Sequence, residues 1–225
     1  MALVVDVVIP VLNEEQGLPK SVVTLHQFLS DNSPYPFRIV IADNGSTDRT
    51  PDIAEELSQE HSDVSWTRLE IRGRGRALRK AWLESDADIL TYMDVDLSTD
   101  LKALQPLADA IAKEGDDISI GSRLMRGSQV ERAFKREFIS RSYNLLVKGM
   151  FFTSFKDAQC GFKALTRQAA LAIVPKVKNN GWFFDTELLI IAAKRGYKIK
   201  SLPVKWDDDP TSTVNIARTA AEDIK

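Results

Sequence analysis

Asp94 and Asp96 are the residues of this 225-residue chain best suited by type and spacing to do chemistry. They close the run Ile89-Leu90-Thr91-Tyr92-Met93, which is rich in strand formers. On an extended strand, acids spaced i, i+2 share a face, so both carboxylates project from the strand's C-terminal end, with Val95 between them. So close together, they would raise each other's pKa unless a cation lies between them. Oxygen ligands suit Mg²⁺ or Mn²⁺, which completes its shell with waters and substrate phosphates. The plainer reading is a solvated strand end ahead of a helix.

Other polar residues stand at comparable places. Asn13 and Glu14 follow the apolar run Leu3–Ile9, and Asp43 and Asn44 follow a second run, Phe37–Ala42. Arg74 and Arg76 follow a third, near Val64–Ile71, and Arg123 follows Asp117–Gly121. Arg72-Gly73-Arg74-Gly75-Arg76 opens a helix, where backbone N–H groups and guanidinium forks could gather an anion. The alternative is a flexible basic loop.

The elements that must position these groups alternate through the first half of the chain. Strand Leu3–Ile9 is stopped by Pro10, and a helix is expected from Asn13-Glu14-Glu15 to about Leu29. The Asp43–Asp48 turn leads to a helix through about His61, and further helices are expected after Arg76 and from about Asp100 to Lys113. Nearly continuous apolar strands alternating with helices imply an α/β fold: a mostly parallel, Rossmann-like sheet with right-handed crossovers and helices on both faces. In such sheets the ligand edge lies at the C-terminal ends of the strands, where the polar residues cluster. The dehydrogenase glycine fingerprint and the P-loop are both absent, so nucleotide binding would work differently.

Composition narrows the class. The chain is 44% hydrophobic and 28% charged and has no linker-like stretch or internal repeat, as expected of one domain over residues 1–225. A net charge of −2 disfavours a nucleic-acid binder, and a single Cys160 excludes an internal disulfide. His26 and His61 form no ligand pattern. No signal peptide or bilayer-length apolar run is present, so a cytoplasmic protein is expected. Charge is unevenly spread: residues 122–148 hold seven Lys/Arg against two Glu, a local +5. Within residues 122–155, Phe138, Ile139, Leu145, Leu146, Val147, Met150, Phe151 and Phe152 form a broad apolar stripe with basic flanks. That pattern fits a helix in a bilayer interface or one packed on the core.

The segments VVIPVLNEE, IADNGSTDRT, RGRGRALRKAW, YMDVDLSTD, IGSRLMRGS, DAQCGFKALTR and FFDTELLIIAAKRGYKIKSLPVKW follow one another over residues 4–206. In that order they resemble the family-2 inverting glycosyltransferases of the GT-A fold. Among these they are most similar to the polyprenyl- or dolichyl-phosphate hexose synthases. RGRGRALR looks more like the glucosyl-transferring branch.

The resemblance implies a nucleoside-diphosphate sugar donor (a UDP- or GDP-hexose), a polyprenyl phosphate acceptor, Mg²⁺ or Mn²⁺, and a peripheral site at the cytoplasmic membrane face. It assigns Pro10, Leu12, Asn13 and Glu14 to the nucleoside, and Asp43 to the base. Asp94, Val95 and Asp96 fall to ribose and metal, and Arg74 and Arg123 to phosphate oxygens. Arg123, Arg136, Ser140 and Lys163 fall to the acceptor phosphate, with Gly161 at the border of its site. Asp185 aligns with the carboxylate that serves as base where the acceptor is an alcohol; here it would be that base, or a helix cap. Asn44 departs from the family's second turn aspartate, and Thr213 stands where many members have Lys. Members often continue into membrane spans. The alternatives are a family-2 enzyme with an alcohol acceptor, a sugar-nucleotide nucleotidyltransferase, and a non-catalytic nucleotide sensor.

Overall fold

The computed structural model describes residues 3–131 and 134–207, with side chains 131–136 excepted. Thr213, the rest of the 208–225 tail and the Arg136 side chain lie outside the described residues.

The elements run β1 (Val5–Val11), α1 (Leu18–Asn32), β2 (Phe37–Asp43), α2 (Thr50–Glu60), β3 (Val64–Arg68), α3 (Arg74–Glu84), β4 (Ile89–Met93), α4 (Leu104–Ala112) and β5 (Ile118–Ser122). Then come β6 (Gln129–Glu131), α5 (Phe134–Phe151), β7 (Phe162–Thr166), α6 (Arg167–Ile173), α7 (Phe184–Lys194), β8 (Ile199–Pro203) and β9 (Lys205–Asp207). Seven strands form one sheet in the order β3-β2-β1-β4-β7-β5-β8, and β6 pairs with β9 in a second, small sheet. β7 runs antiparallel to β4 and β5; the other neighbours in the large sheet are parallel. The mostly parallel sheet expected from the sequence is therefore present, with one reversed strand inserted in its middle.

Alternation along the strands assigns the two faces. Val5, Val7, Ile9 and Val11 of β1 pack with α1, α2 and α4. Val8, Leu90, Tyr92 and Leu165 pack with α3, α5, α6 and α7. At the crowded crossing of α3 and α7, a Cβ on Gly75 would lie 2.5 Å from the Cβ of Phe184, so glycine permits the approach.

Three boundary expectations are corrected. α1 starts only at Leu18: Asn13 takes a φ of 56°, outside the helical region, and the backbone N–H groups of Asn13, Glu14 and Glu15 bond to Ser46 Oγ (2.9 Å), Thr50 Oγ1 (2.8 Å) and Asp48 Oδ2 (3.2 Å). β3 ends at Arg68, short of Ile71. α5 stops at Phe151, and Phe152 takes a φ of 53°, which breaks the helix before Phe155. The two histidines are neighbours: the His26 and His61 rings lie 4.3 Å apart, and His26 Nε2 is 2.9 Å from Asp63.

Candidate active site

The antiparallel insertion builds the centre of the site. Tyr92 pairs with Lys163 and Met93 with Phe162, so the next residues outward, Asp94 and Gly161, meet. Gly161 carries no side chain for a steric reason: a Cβ there would lie 1.9 Å from Asp94 Oδ2. The Asp94 carboxylate thus rests in a cradle against the start of β7.

Arg74 lies across this carboxylate. Its Nη2 donates to Asp94 Oδ1 at 2.6 Å and its Nη1 to Asp185 Oδ2 at 2.7 Å. The guanidinium is held between two rings, 5.0 Å from the centroid of Tyr92 and 4.9 Å from that of Trp182. Asp185 Oδ1 accepts from Tyr92 Oη at 2.5 Å and lies 3.3 Å from Lys163 Nζ. Lys163 is fully buried and also donates to Tyr92 Oη (3.2 Å) and to the Cys160 carbonyl (2.5 Å). Burial alone would push the Asp185 pKa up, but the cations Lys163 and Arg74 and the Tyr92 hydroxyl hold it below the usual carboxylate range. Burial, reinforced by the Asp185 charge, holds the Tyr92 phenol well above its ordinary value. Tyr92 is therefore a neutral donor.

These contacts redraw several expectations. The start of α3 is not an open anion site, because Asn180 O already accepts from the N–H groups of Gly75 (3.0 Å) and Arg76 (3.4 Å), and Arg74 is turned onto carboxylates. Asp185 does not cap α7; the helix begins without a side-chain cap, and Asp185 in its first turn faces Arg74. Lys163 faces Asp185 in the interior. Arg123 forks onto buried Asp157, with Nε–Oδ2 at 2.8 Å and Nη2–Oδ1 at 3.0 Å, and stacks on Trp206. Burial would raise the Asp157 pKa, yet the Arg123 charge holds it low.

Ser140 lies on the inward side of α5, its Oγ buried and without a hydrogen-bond partner among the described residues. The outward side of that helix carries apolar residues beside exposed Arg141 and Ser142: Phe138, Leu145, Leu146, Met150 and the following Phe152 are exposed, Phe152 to 89%.

A second set of contacts joins the loops after β1 and β2. Asn13 Oδ1 accepts from Thr47 N (2.8 Å), and Arg49 N donates to Glu15 Oε2 (3.1 Å), so the loops after β1 and β2 are stapled together. Pro10 sits within β1 beside Ala42, and Leu12 is partly exposed at the rim. Asp43, at the end of β2, is completely buried. Its Oδ1 accepts from Ser46 N at 3.0 Å, whereas Oδ2 has no hydrogen-bond donor and lies 3.4 Å from Arg68 Nε. Asn44 Oδ1 accepts from Gly73 N at 2.5 Å, which ties these loops to the arginine loop.

Asp94 and Asp96 supply oxygen donors on one turn. Asp94 is part-buried in its cradle and Asp96 is exposed, with Oδ1 accepting from Ser98 N at 2.9 Å. No group of three or more His, Cys, Asp or Glu among the described residues is placed to hold a metal unaided. Two carboxylates without further ligands fit a Mg²⁺-like ion that shares its shell with substrate phosphates, and do not fit a closed structural metal site.

Sequence reasoning missed Tyr92, Asp157, Arg68 and Trp182. Tyr92 could have been found, since it stands i−2 from Asp94 on the same strand face. For the other three no local pattern marks the contact.

Comparison with known proteins places the chain among enzymes. Residues 6–173 match the family described as Glycosyl transferase family 2. The chain is 36% identical over 219 residues to Glycosyltransferase AglD of Haloferax volcanii, covering 95% of this chain and 35% of that protein. It therefore spans about a third of that relative's length. It is 29% identical over 231 residues to the Dolichyl-phosphate beta-glucosyltransferase of Saccharomyces cerevisiae (94% of this chain, 69% of that protein). For the Drosophila melanogaster protein of the same name, identity is 30% over 221 residues (92% and 68%). In fold it resembles Mycobacterium tuberculosis glucosyl-3-phosphoglycerate synthase, at TM-score 0.72 and 18% identity, over 99% of this chain and 78% of that one. The same synthase in complex with Mn²⁺, UDP and glucosyl-3-phosphoglycerate gives TM-score 0.72 at 17% identity, over 99% and 77%.

Proposed function

The chain belongs to glycosyl transferase family 2 and is a glycosyltransferase of the GT-A fold, and from that premise we propose that it moves glucose from UDP-glucose to a polyprenyl phosphate, with inversion, at a membrane surface. The observation that carries the acceptor class is the state of Asp185. A general base works best with a pKa near the operating pH. Asp185 is held low, and its two oxygens are engaged by Arg74, Tyr92 and Lys163. An alcohol acceptor would need that proton removed. A phosphate monoester, with a second pKa near ~6, arrives ionised and needs no base.

The chain's own groups would divide the work. Buried Asp43 Oδ2, lacking a donor, would accept the single N–H that uracil presents between two carbonyls. Guanine offers two adjacent donors, and Asp43 Oδ1 is already committed to Ser46 N; this favours uracil. Pro10, Leu12, Asn13 and Glu14 would wall the nucleoside, at the stapled loops. Asp94 and Asp96, with Val95 between them, would hold Mg²⁺ or Mn²⁺. When bound, such an ion neutralises charge developing on the diphosphate leaving group. The reaction is a single displacement: an acceptor phosphate oxygen forms a bond to C1 as the bond from C1 to the diphosphate oxygen breaks and UDP departs. No proton changes hands.

Arg136, Ser140 and Lys163 stay assigned to the acceptor side on resemblance, and Arg74 and Arg123 to phosphates. For Arg74, Arg123 and the buried Lys163 that role requires release from carboxylate partners. The exposed apolar residues of α5, within the +5 segment, support a lipid surface as the place of reaction. No helix among the described residues is long and apolar enough to cross a membrane.

The test is calorimetric titration of UDP and GDP with and without Mn²⁺, followed by transfer of labelled sugar from each nucleotide sugar into the organic phase. Tighter UDP binding and transfer that depends on added polyprenyl phosphate are expected. Tighter GDP binding would overturn the base assignment, and transfer to a free sugar alone would overturn the acceptor.

A further inference from the structure

Arg74, Lys163, Asp94 and Asp185 form one connected cluster with two positive and two negative charges. It is neutral as it stands, and three of the four groups are nearly or fully buried: side-chain exposures are 11% for Arg74, 0% for Lys163, 5% for Asp185 and 31% for Asp94. Resting on the donor reading above, we propose that Arg74 couples metal binding to nucleotide binding. Its guanidinium is the resident counter-ion of Asp94, and a divalent cation gains Asp94 when a nucleotide diphosphate takes up that guanidinium.

Three features of the site lead there. First, Asp94 cannot retreat from Arg74, because the Gly161 backbone lies so close behind it that a Cβ would fall 1.9 Å from Oδ2. A cation that takes Asp94 therefore competes with Arg74 for a carboxylate whose Oδ1 the guanidinium holds and whose Oδ2 is crowded by Gly161. Second, the two ends of the guanidinium are unequal. Nη1 is fixed to Asp185 in the interior, whereas Nη2 meets Asp94, the more exposed partner. The guanidinium can pivot on Asp185 and release Asp94 without giving up both bonds. Third, charge must balance in a poorly screened place. With Asp96, the second carboxylate assigned to the ion, the site carries one negative charge, so a divalent ion alone would leave it at +1. An ion arriving with a diphosphate adds nearly none, and the diphosphate gives the freed guanidinium a new anion.

Trp182 reports the movement. It stacks on Arg74 and is 45% exposed, so departure of the guanidinium changes the surroundings of its indole.

The experiment measures Mn²⁺ affinity by the loss of free-ion EPR signal, without turnover, in the parent protein, Arg74→Gln and Arg74→Lys. Without UDP, Arg74→Gln should bind Mn²⁺ about tenfold or more tighter than the parent, the effect of removing one nearby cation. Arg74→Lys, which keeps the charge, should stay close to the parent. Mere structural damage would weaken Mn²⁺ binding, so the sign separates the two causes. Equal Mn²⁺ affinity in parent and Arg74→Gln overturns the proposal. If Arg74→Gln lacks a cooperative melt, Trp182 emission decides. It should change with Mn²⁺ plus UDP and not with Mn²⁺ alone, and the change should vanish in Trp182→Phe. Identical responses to the two additions overturn the coupling. A parent protein that binds neither UDP nor Mn²⁺ rejects the donor reading and this proposal with it. One that binds both, with affinities indifferent to position 74, rejects the coupling alone.

Discussion

Replacing Asp185 by Asn removes one charge and almost no volume. In the folded protein that charge neutralises Lys163, which is fully buried 3.3 Å away, and shares Arg74 with Asp94. Breaking one side of a buried pair costs about 3–5 kcal/mol, because the remaining ion is left uncompensated. For a chain of this size each kcal/mol lowers Tm by about 2–4 °C, so Asp185→Asn should melt at least about 6 °C lower. Its catalytic effect should be small by comparison. Loss of a general base costs about 10²–10⁴-fold, whereas an ionised phosphate acceptor has no such contribution to lose. At saturating donor, single-turnover transfer to polyprenyl phosphate should fall by less than about tenfold, below that whole range. Melting by circular dichroism and rapid-quench kinetics on the same preparation separate the two effects. A loss of three decades in rate with an intact melt would refute the reasoning and make Asp185 the base. An unchanged Tm would refute the charge bookkeeping.

Further outcomes are expected. Gly161→Ala should push Asp94 from its cradle and remove the Mn²⁺-dependent part of UDP affinity, seen by calorimetry, while the protein still melts cooperatively; unchanged metal dependence would contradict the cradle. Asp43→Ala should weaken UDP binding by about 1.5–3 kcal/mol, the contribution of a hydrogen bond to a charged group, in the same titration. The folded-state pKa values of Asp185 and Asp157 are depressed, so their stabilisation is complete above the unfolded value of ~3.9 and lost as pH falls through the folded values. Denaturant midpoints should therefore be insensitive to these groups above about pH 5 and fall steeply below about pH 4. Leu145→Ser with Phe152→Ser should reduce co-flotation with anionic vesicles even at low salt, since the lost contact is apolar.

Strands β1, β4 and β5 were legible because they are buried on both faces and read as continuous apolar runs. β7 was not. Phe162-Lys163-Ala164-Leu165-Thr166 contains a lysine, and its partners Asp185, Tyr92 and the Cys160 carbonyl allow it to stay inside. The strand-end carboxylates Asp43, Asp94 and Asp96 can be picked out by their position after apolar runs, and the structure places them at the ends of β2 and β4. Their partners cannot be picked out in that way. Arg74 meets Asp185 across 111 positions of chain, a separation at which sequence spacing carries no information. The same holds for the Arg-Gly-Arg loop. Its composition suggests an anion site, but a carbonyl far along the chain, that of Asn180, already occupies the helix start.

The acceptor is the centre of the account, and the bond made to it is the most direct measure. Equal amounts of polyprenyl phosphate and the corresponding polyprenol should be offered together with UDP-glucose and Mn²⁺, and the lipid product isolated for phosphorus and proton NMR. The account predicts a single product, a glucosyl phosphodiester with β configuration at C1, and no glucosylated polyprenol. A glucoside of the alcohol, or retained α configuration in the phosphodiester, would contradict it.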